Sequence, residues 1–143
     1  MFTIDASVHI NALNPSEAGS ADSQAFIARV FQRALPVFSP TLLLVEVAAV
    51  IARVFDSPAQ GIALTQVLRF LPGQTWVALD DDLAGEASML AAEYRLRGAD
   101  AVYAAVASRY KTTLVTTDKQ QIQRLSNFLD VRKPAEITDF DKD

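Results

Sequence analysis

Four acidic residues stand where chemistry could be done. Asp5 directly follows the apolar run Phe2-Thr3-Ile4, and Glu46 interrupts an otherwise apolar stretch from Leu42 to Ile51. Asp100 opens a run of small apolar residues, Ala101 to Ala107, and Asp118 comes just after the apolar stretch Thr113 to Thr116. Sites in open parallel α/β sheets form outside the carboxyl ends of the strands, so an acid directly after a strand is placed for chemistry. Each acid also has an ordinary reading. Asp118, with Gln121 three positions on, fits a capping box. Asp100 in the first turn of a helix complements the macrodipole, and Asp5 fits a cap for the segment starting at Ser7. Glu46 is harder to explain that way, because an acid inside an apolar helix is buried, and buried charges are paired or bound to metal. Arg53, a candidate partner, lies seven residues away, a long reach along a helix.

The combination is more informative than its members. Four carboxylates within a few ångströms repel and raise one another's pKa unless cations lie between them. Hard divalent cations such as Mg²⁺ or Mn²⁺ take oxygen ligands of this kind. Such a site suits phosphodiester hydrolysis, where metal charge stabilises the attacking and leaving oxygens.

The elements that must position these residues follow from the rest of the pattern. Helical and strand signals alternate without repeats, which favours an α/β fold with a parallel sheet between helices. The expected strands are Phe2 to Asp5, Val37-Phe38, Thr75 to Leu79, Thr113 to Thr116 and Leu129 to Val131. Expected helices run from Ser7 to Leu13, from Asp22 to Leu35, and from Pro40 to Phe55, the last opened by Ser39-Pro40 and central because it is apolar nearly all round. Further helices run from Pro58 to Phe70, from Leu83 to Tyr94, across Asp100, and from Asp118 to about Leu125. Gly98 is expected to separate the two that flank it. Residues 1–143 read as one domain, with an acidic, frayed tail from about residue 135.

Composition narrows the function classes. With no cysteine and one histidine, His9, thiolate and multi-histidine zinc sites are excluded. The expected setting is cytoplasmic. No signal peptide is visible, and the most apolar run, Leu42 to Val54, is too short for a membrane span. The net charge of −4 argues against holding nucleic acid by bulk electrostatics, although metal ions at the acids would reverse the local field.

Thr3-Ile4-Asp5-Ala6-Ser7, Ser39-Pro40 leading to Glu46-Val47, Gly98-Ala99-Asp100 through Ala107, and Leu114-Val115-Thr116-Thr117-Asp118 occur in one order along the chain. Together they resemble the PIN-domain ribonucleases, and most closely the small single-domain toxins of the VapC type. The resemblance implies a sheet of about five parallel strands flanked by helices, and metal-dependent cleavage of RNA. It carries metal-site roles to Asp5, Glu46, Asp100 and Asp118, a supporting hydroxyl to Thr116, and a place beside the first acid to Ser7. It implies Mg²⁺ or Mn²⁺, a homodimer, and a small antitoxin whose segment occupies the cleft. Some members carry another acid just after the position of Asp118, where this chain reads Lys119-Gln120-Gln121, so one-ion and two-ion chemistry both stay open.

Arg53, Arg97 and Lys119 flank the acids and are candidate phosphate contacts. Asp80-Asp81-Asp82 reads as a solvated helix start and Trp76 as core. A catalytic role for His9 is disfavoured beside the metal-site alternative. A catalytically silent module that holds a protein or RNA is the competing class, although a mere binder has no physical need for mutually repelling carboxylates. A phosphatase with an aspartate nucleophile requires a second aspartate where Ser7 stands.

Overall fold

The computed structural model describes residues 1–138 and Phe140. Five strands, β1 (Phe2–Ile4), β2 (Val37–Pro40), β3 (Gln74–Val77), β4 (Thr113–Val115) and β5 (Val131–Arg132), form one parallel sheet. Their order is β3-β2-β1-β4-β5, so the first strand lies at the centre. The helices among the described residues are α1 (Ala6–Leu13), α2 (Ser20–Gln32), α3 (Leu42–Val54), α4 (Pro58–Arg69), α5 (Asp81–Tyr94), α6 (Gly98–Tyr110) and α7 (Lys119–Leu125).

Local chemistry explains several helix starts. The Ser57 side chain caps α4 through the Gln60 amide, with Pro58 in the first turn, and Asp80 caps α5 through the Leu83 amide at 2.9 Å. Several boundaries shift from the sequence expectation, among them the ends of α2, β3 and β5, and two of the shifts have a local reason. Pro40 ends β2 opposite Val77 and does not begin a helix; α3 starts two residues later, at Leu42. At the last position of the strand a residue without an amide proton leaves the ladder intact, because the next amide, Thr41, donates to the Val77 carbonyl. Gly98 is the first residue of α6, and Arg95 ends α5 with a left-handed φ of 54°.

Burial also redistributes the roles of the helices. The central helix is α6, whose residues Ala101 to Ala107 are all buried. Its small side chains let it lie close to the sheet and to α5. The expected central helix, α3, buries Leu43, Leu44, Val47 and Ile51 but leaves Val45 and Val54 about two-thirds exposed. Gly61 lets α4 close onto α3, since a Cβ there would meet the Ala48 carbonyl oxygen at 2.6 Å.

After β5 the chain makes a 3-10 turn, Pro134–Glu136, and buries Ile137. Phe140 packs tilted against Phe2 and Phe26, with ring centroids 6.2 and 6.0 Å away. The segment expected to fray is therefore docked at these two residues, while Asp139 and residues 141–143 lie outside the described residues. No helix among the described residues is long and apolar enough to cross a membrane.

Candidate active site

The site begins at the middle of the sheet. The register pairing Ile4 with Val115 puts the residues that follow, Asp5 and Thr116, side by side beyond the ends of β1 and β4. Asp5 is buried, and its Oδ2 accepts hydrogen bonds from Ser7 Oγ at 2.7 Å and Thr116 Oγ1 at 2.9 Å. Ser7 Oγ in turn accepts from the Thr117 amide at 3.2 Å, and Thr116 Oγ1 from the Asp118 amide at 3.1 Å. Two hydroxyls thus tie the first acid to the backbone that presents the last one. Although Asp5 occupies the cap position of α1, its side chain makes no cap hydrogen bond to the helix.

Glu46 reaches the same region from α3. Its Oε1 accepts from the buried Tyr103 hydroxyl at 2.8 Å. Tyr103 stands one helical turn after Asp100 on α6, so one helix both carries one acid and orients another. Asp118 keeps the capping role that its sequence suggested, with Oδ1 accepting from the amides of Gln120 and Gln121 at 2.8 and 3.3 Å. Its other oxygen accepts from Arg97 Nη2 at 2.9 Å, and Arg97 Nε lies 3.6 Å from Asp100. Arg97 is therefore a cation shared between the third and fourth acids.

The electrostatics report the crowding. Burial, opposed by the hydroxyls of Ser7 and Thr116, raises the Asp5 carboxyl above its ordinary range. Glu46 is raised by burial and by the charges of Asp5 and Asp100, against the lowering effect of the Tyr103 hydroxyl. Asp100 is pushed up to about 6 by burial, then by Asp5 and Asp118, with Arg97 and Arg124 opposing. Among the described residues, no three acidic or histidine side chains lie close enough to hold an ion between them.

The other candidates divide. Lys119 is exposed at the first residue of α7, next to Asp118. Arg53 is exposed in the last turn of α3 and makes no ion pair among the described residues, so Glu46 relies on Tyr103 instead. His9 is buried on α1 and held near pKa 4 by that burial, a neutral core residue. Trp76 is half-buried, with its indole N–H directed to the Arg69 carbonyl.

Tyr103 and Gln121 are contributors that sequence reasoning missed. Gln121 was expected to complete a capping box, but its side chain turns inward, with Nε2 3.5 Å from the Asp100 carbonyl and Oε1 buried without a partner. For Tyr103 a signal existed, a polar-tipped side chain in the run Ala101 to Ala107, which is otherwise built of Ala and Val.

Comparison with known proteins agrees with this architecture. The family model described as PIN domain matches residues 2–127. No curated protein matches the chain. Among solved structures, a toxin–antitoxin complex from Klebsiella pneumoniae is similar at 19% identity and a TM-score of 0.67, covering 96% of this chain and 100% of that one. VapC20 of Mycobacterium tuberculosis, a sarcin-ricin loop cleaving toxin, is similar at 17% identity and a TM-score of 0.70, covering 92% and 99%. FitAcB from Neisseria gonorrhoeae gives 16% identity and 0.69, covering 96% and 100%. These likenesses carry the fold, and the family model spans nearly the whole sheet-forming chain. The chain belongs to the PIN domain family.

Proposed function

We propose that this protein is a divalent-metal-dependent endoribonuclease, the toxin of a toxin–antitoxin pair, acting through Asp5, Glu46, Asp100 and Asp118. The observation that carries the reading is the electrostatic coupling of these acids: Glu46 feels Asp5 and Asp100, and Asp100 feels Asp5 and Asp118. The donor set fits a hard cation, because it is all oxygen and the charges of neighbouring acids raise the carboxyls of Glu46 and Asp100. When bound, Mg²⁺ or Mn²⁺ supplies Lewis acidity and a nucleophile competent at neutral pH.

The chain's own residues do the rest. Ser7 and Thr116 fix the Asp5 carboxylate by both donating to its Oδ2. Tyr103 orients Glu46 in the same manner. Arg97 neutralises Asp100 and Asp118 and, with its side chain 69% exposed, is free to turn toward an RNA phosphate. We assign the homodimer contact to the apolar flank of α3 and α4, where Val45, Ile62, Val67 and Phe70 are exposed, and the antitoxin segment to the cleft at the acids.

A second reading, a catalytically silent module that holds protein or RNA, is favoured by one observation: among the described residues no three acidic or histidine side chains are grouped to hold a metal ion. One assay separates the two. Labelled single-stranded and structured RNAs are incubated with the protein in Mg²⁺, Mn²⁺ or EDTA. Cleavage that requires the cation supports the enzyme; no cleavage of any RNA, or cleavage that persists in EDTA, contradicts it.

A further inference from the structure

A pocket of about 270 Å³ lies between the start of α2 and the turn that follows β5, lined in part by Thr117 and Lys119, the residues on either side of Asp118. Asp22 of α2 lines one side, and Thr117, Lys119, Lys133, Pro134 and Ala135 contribute the other walls. We propose that this pocket is a subsite for one unpaired nucleotide of the RNA strand, adjoining the phosphate to be cut. The inference rests on the nuclease reading and extends it to substrate recognition.

Continuity with the acids comes from the backbone. The Thr117 amide donates to Ser7 Oγ, which donates to Asp5, and Lys119 directly follows Asp118. A strand whose phosphate lies at Asp118 would run past its chain neighbours Thr117 and Lys119, which line the pocket. The two lysines are cations without an internal task. Neither pairs with an acid among the described residues. Lys119 also sits at a helix start, where a positive charge opposes the dipole, so helix stability does not account for it. In a chain of net charge −4, two ammoniums lining one pocket are a local reversal of sign.

The lining is suited to a nucleotide and poorly suited to an anion alone. Lys119 and Lys133 match a phosphate, Pro134 and Ala135 offer an apolar wall to the face of a base, and Asp22 accepts from a base amino group. A bare anion would meet the Asp22 carboxylate across the pocket. The volume lies just under the ~300 Å³ at which pockets for drug-sized ligands begin, room for a single base and too little for a base pair. The substrate must therefore present an unpaired nucleotide there.

The test uses Lys133→Ala and Ala135→Trp, the first removing a charge and the second filling the pocket at constant charge. Binding of a labelled single-stranded RNA panel is followed by fluorescence anisotropy in EDTA over a range of salt, with cleavage kinetics in Mn²⁺ in parallel and circular dichroism as the check on folding. Each variant is expected to weaken binding about tenfold and raise KM with kcat retained. Lys133→Ala should also reduce the slope of log affinity against log salt by about 0.7, and Ala135→Trp should leave the slope unchanged. Parent-like binding and KM in both folded variants would overturn the subsite while leaving the nuclease reading intact. Lysine-dependent, pocket-dependent binding by a parent that cuts no RNA would support the subsite and overturn the nuclease. A parent that neither binds nor cuts overturns both.

Discussion

Asp100 holds its proton to about pH 6, against an ordinary value of 3.8, because it is partly buried and faces Asp5 and Asp118. The folded protein therefore keeps a proton that the unfolded chain has released through the window between those values. Stability tied to this group is complete below the unfolded value and is lost as pH rises through about 6. Thermal melts in EDTA should reveal this as a difference between proteins: relative to Asp100→Asn, the parent loses stability as pH rises from about 4 to 7 and then levels off. Melting curves that stay parallel across that range would mean that Asp100 is not in a charged, crowded setting. Tyr103 offers a second test. Tyr103→Phe keeps the ring in the core but removes the donor to Glu46. The expected cost is about 1–2 kcal/mol in denaturant melts, together with a 10- to 100-fold loss of Mn²⁺ affinity by calorimetry. Unchanged cation affinity would separate Tyr103 from the site.

At the level of elements, α7 illustrates how structure and chemistry share one residue. Asp118 caps the helix with one oxygen and meets Arg97 with the other. Asparagine is as good a cap as aspartate, so Asp118→Asn should keep the melting temperature and lose cleavage, whereas Asp118→Ala should lose cleavage and about 1 kcal/mol of stability. Equal destabilisation by both variants would show the ion pair with Arg97, not the cap, to be the structural part. The same duality limited what the sequence could reveal. Alternating periodicity made the strands, the helices and the parallel sheet legible, and acids after Ile4 and near Val115 were legible as strand-end residues. The boundaries at Pro40 and Arg95 were not, since the first depends on pairing with Val77 across the sheet and the second on a left-handed turn taken without glycine. Tyr103 and Gln121 were hidden for a related reason: the partner of each is supplied by tertiary packing, from α3 in one case and α6 in the other.

For the molecule as a whole, topology accounts for the convergence. With β1 at the centre and every strand parallel, Asp5 and Asp118 leave the sheet at the same edge. Helices α3 and α6 then bring Glu46 and Asp100 from different parts of the chain to that edge. An overall charge of −4 is no obstacle if the acids are neutralised by cations and the lysines near Thr117 meet the strand. The most direct test of this arrangement is the cleavage rate of a susceptible RNA in Mn²⁺, measured for the parent beside Asp100→Asn, a change that removes a charge at nearly constant volume. The account predicts a loss of at least about 100-fold with the fold preserved. A folded variant that cuts within a few-fold of the parent rate, with the same metal dependence, would contradict it.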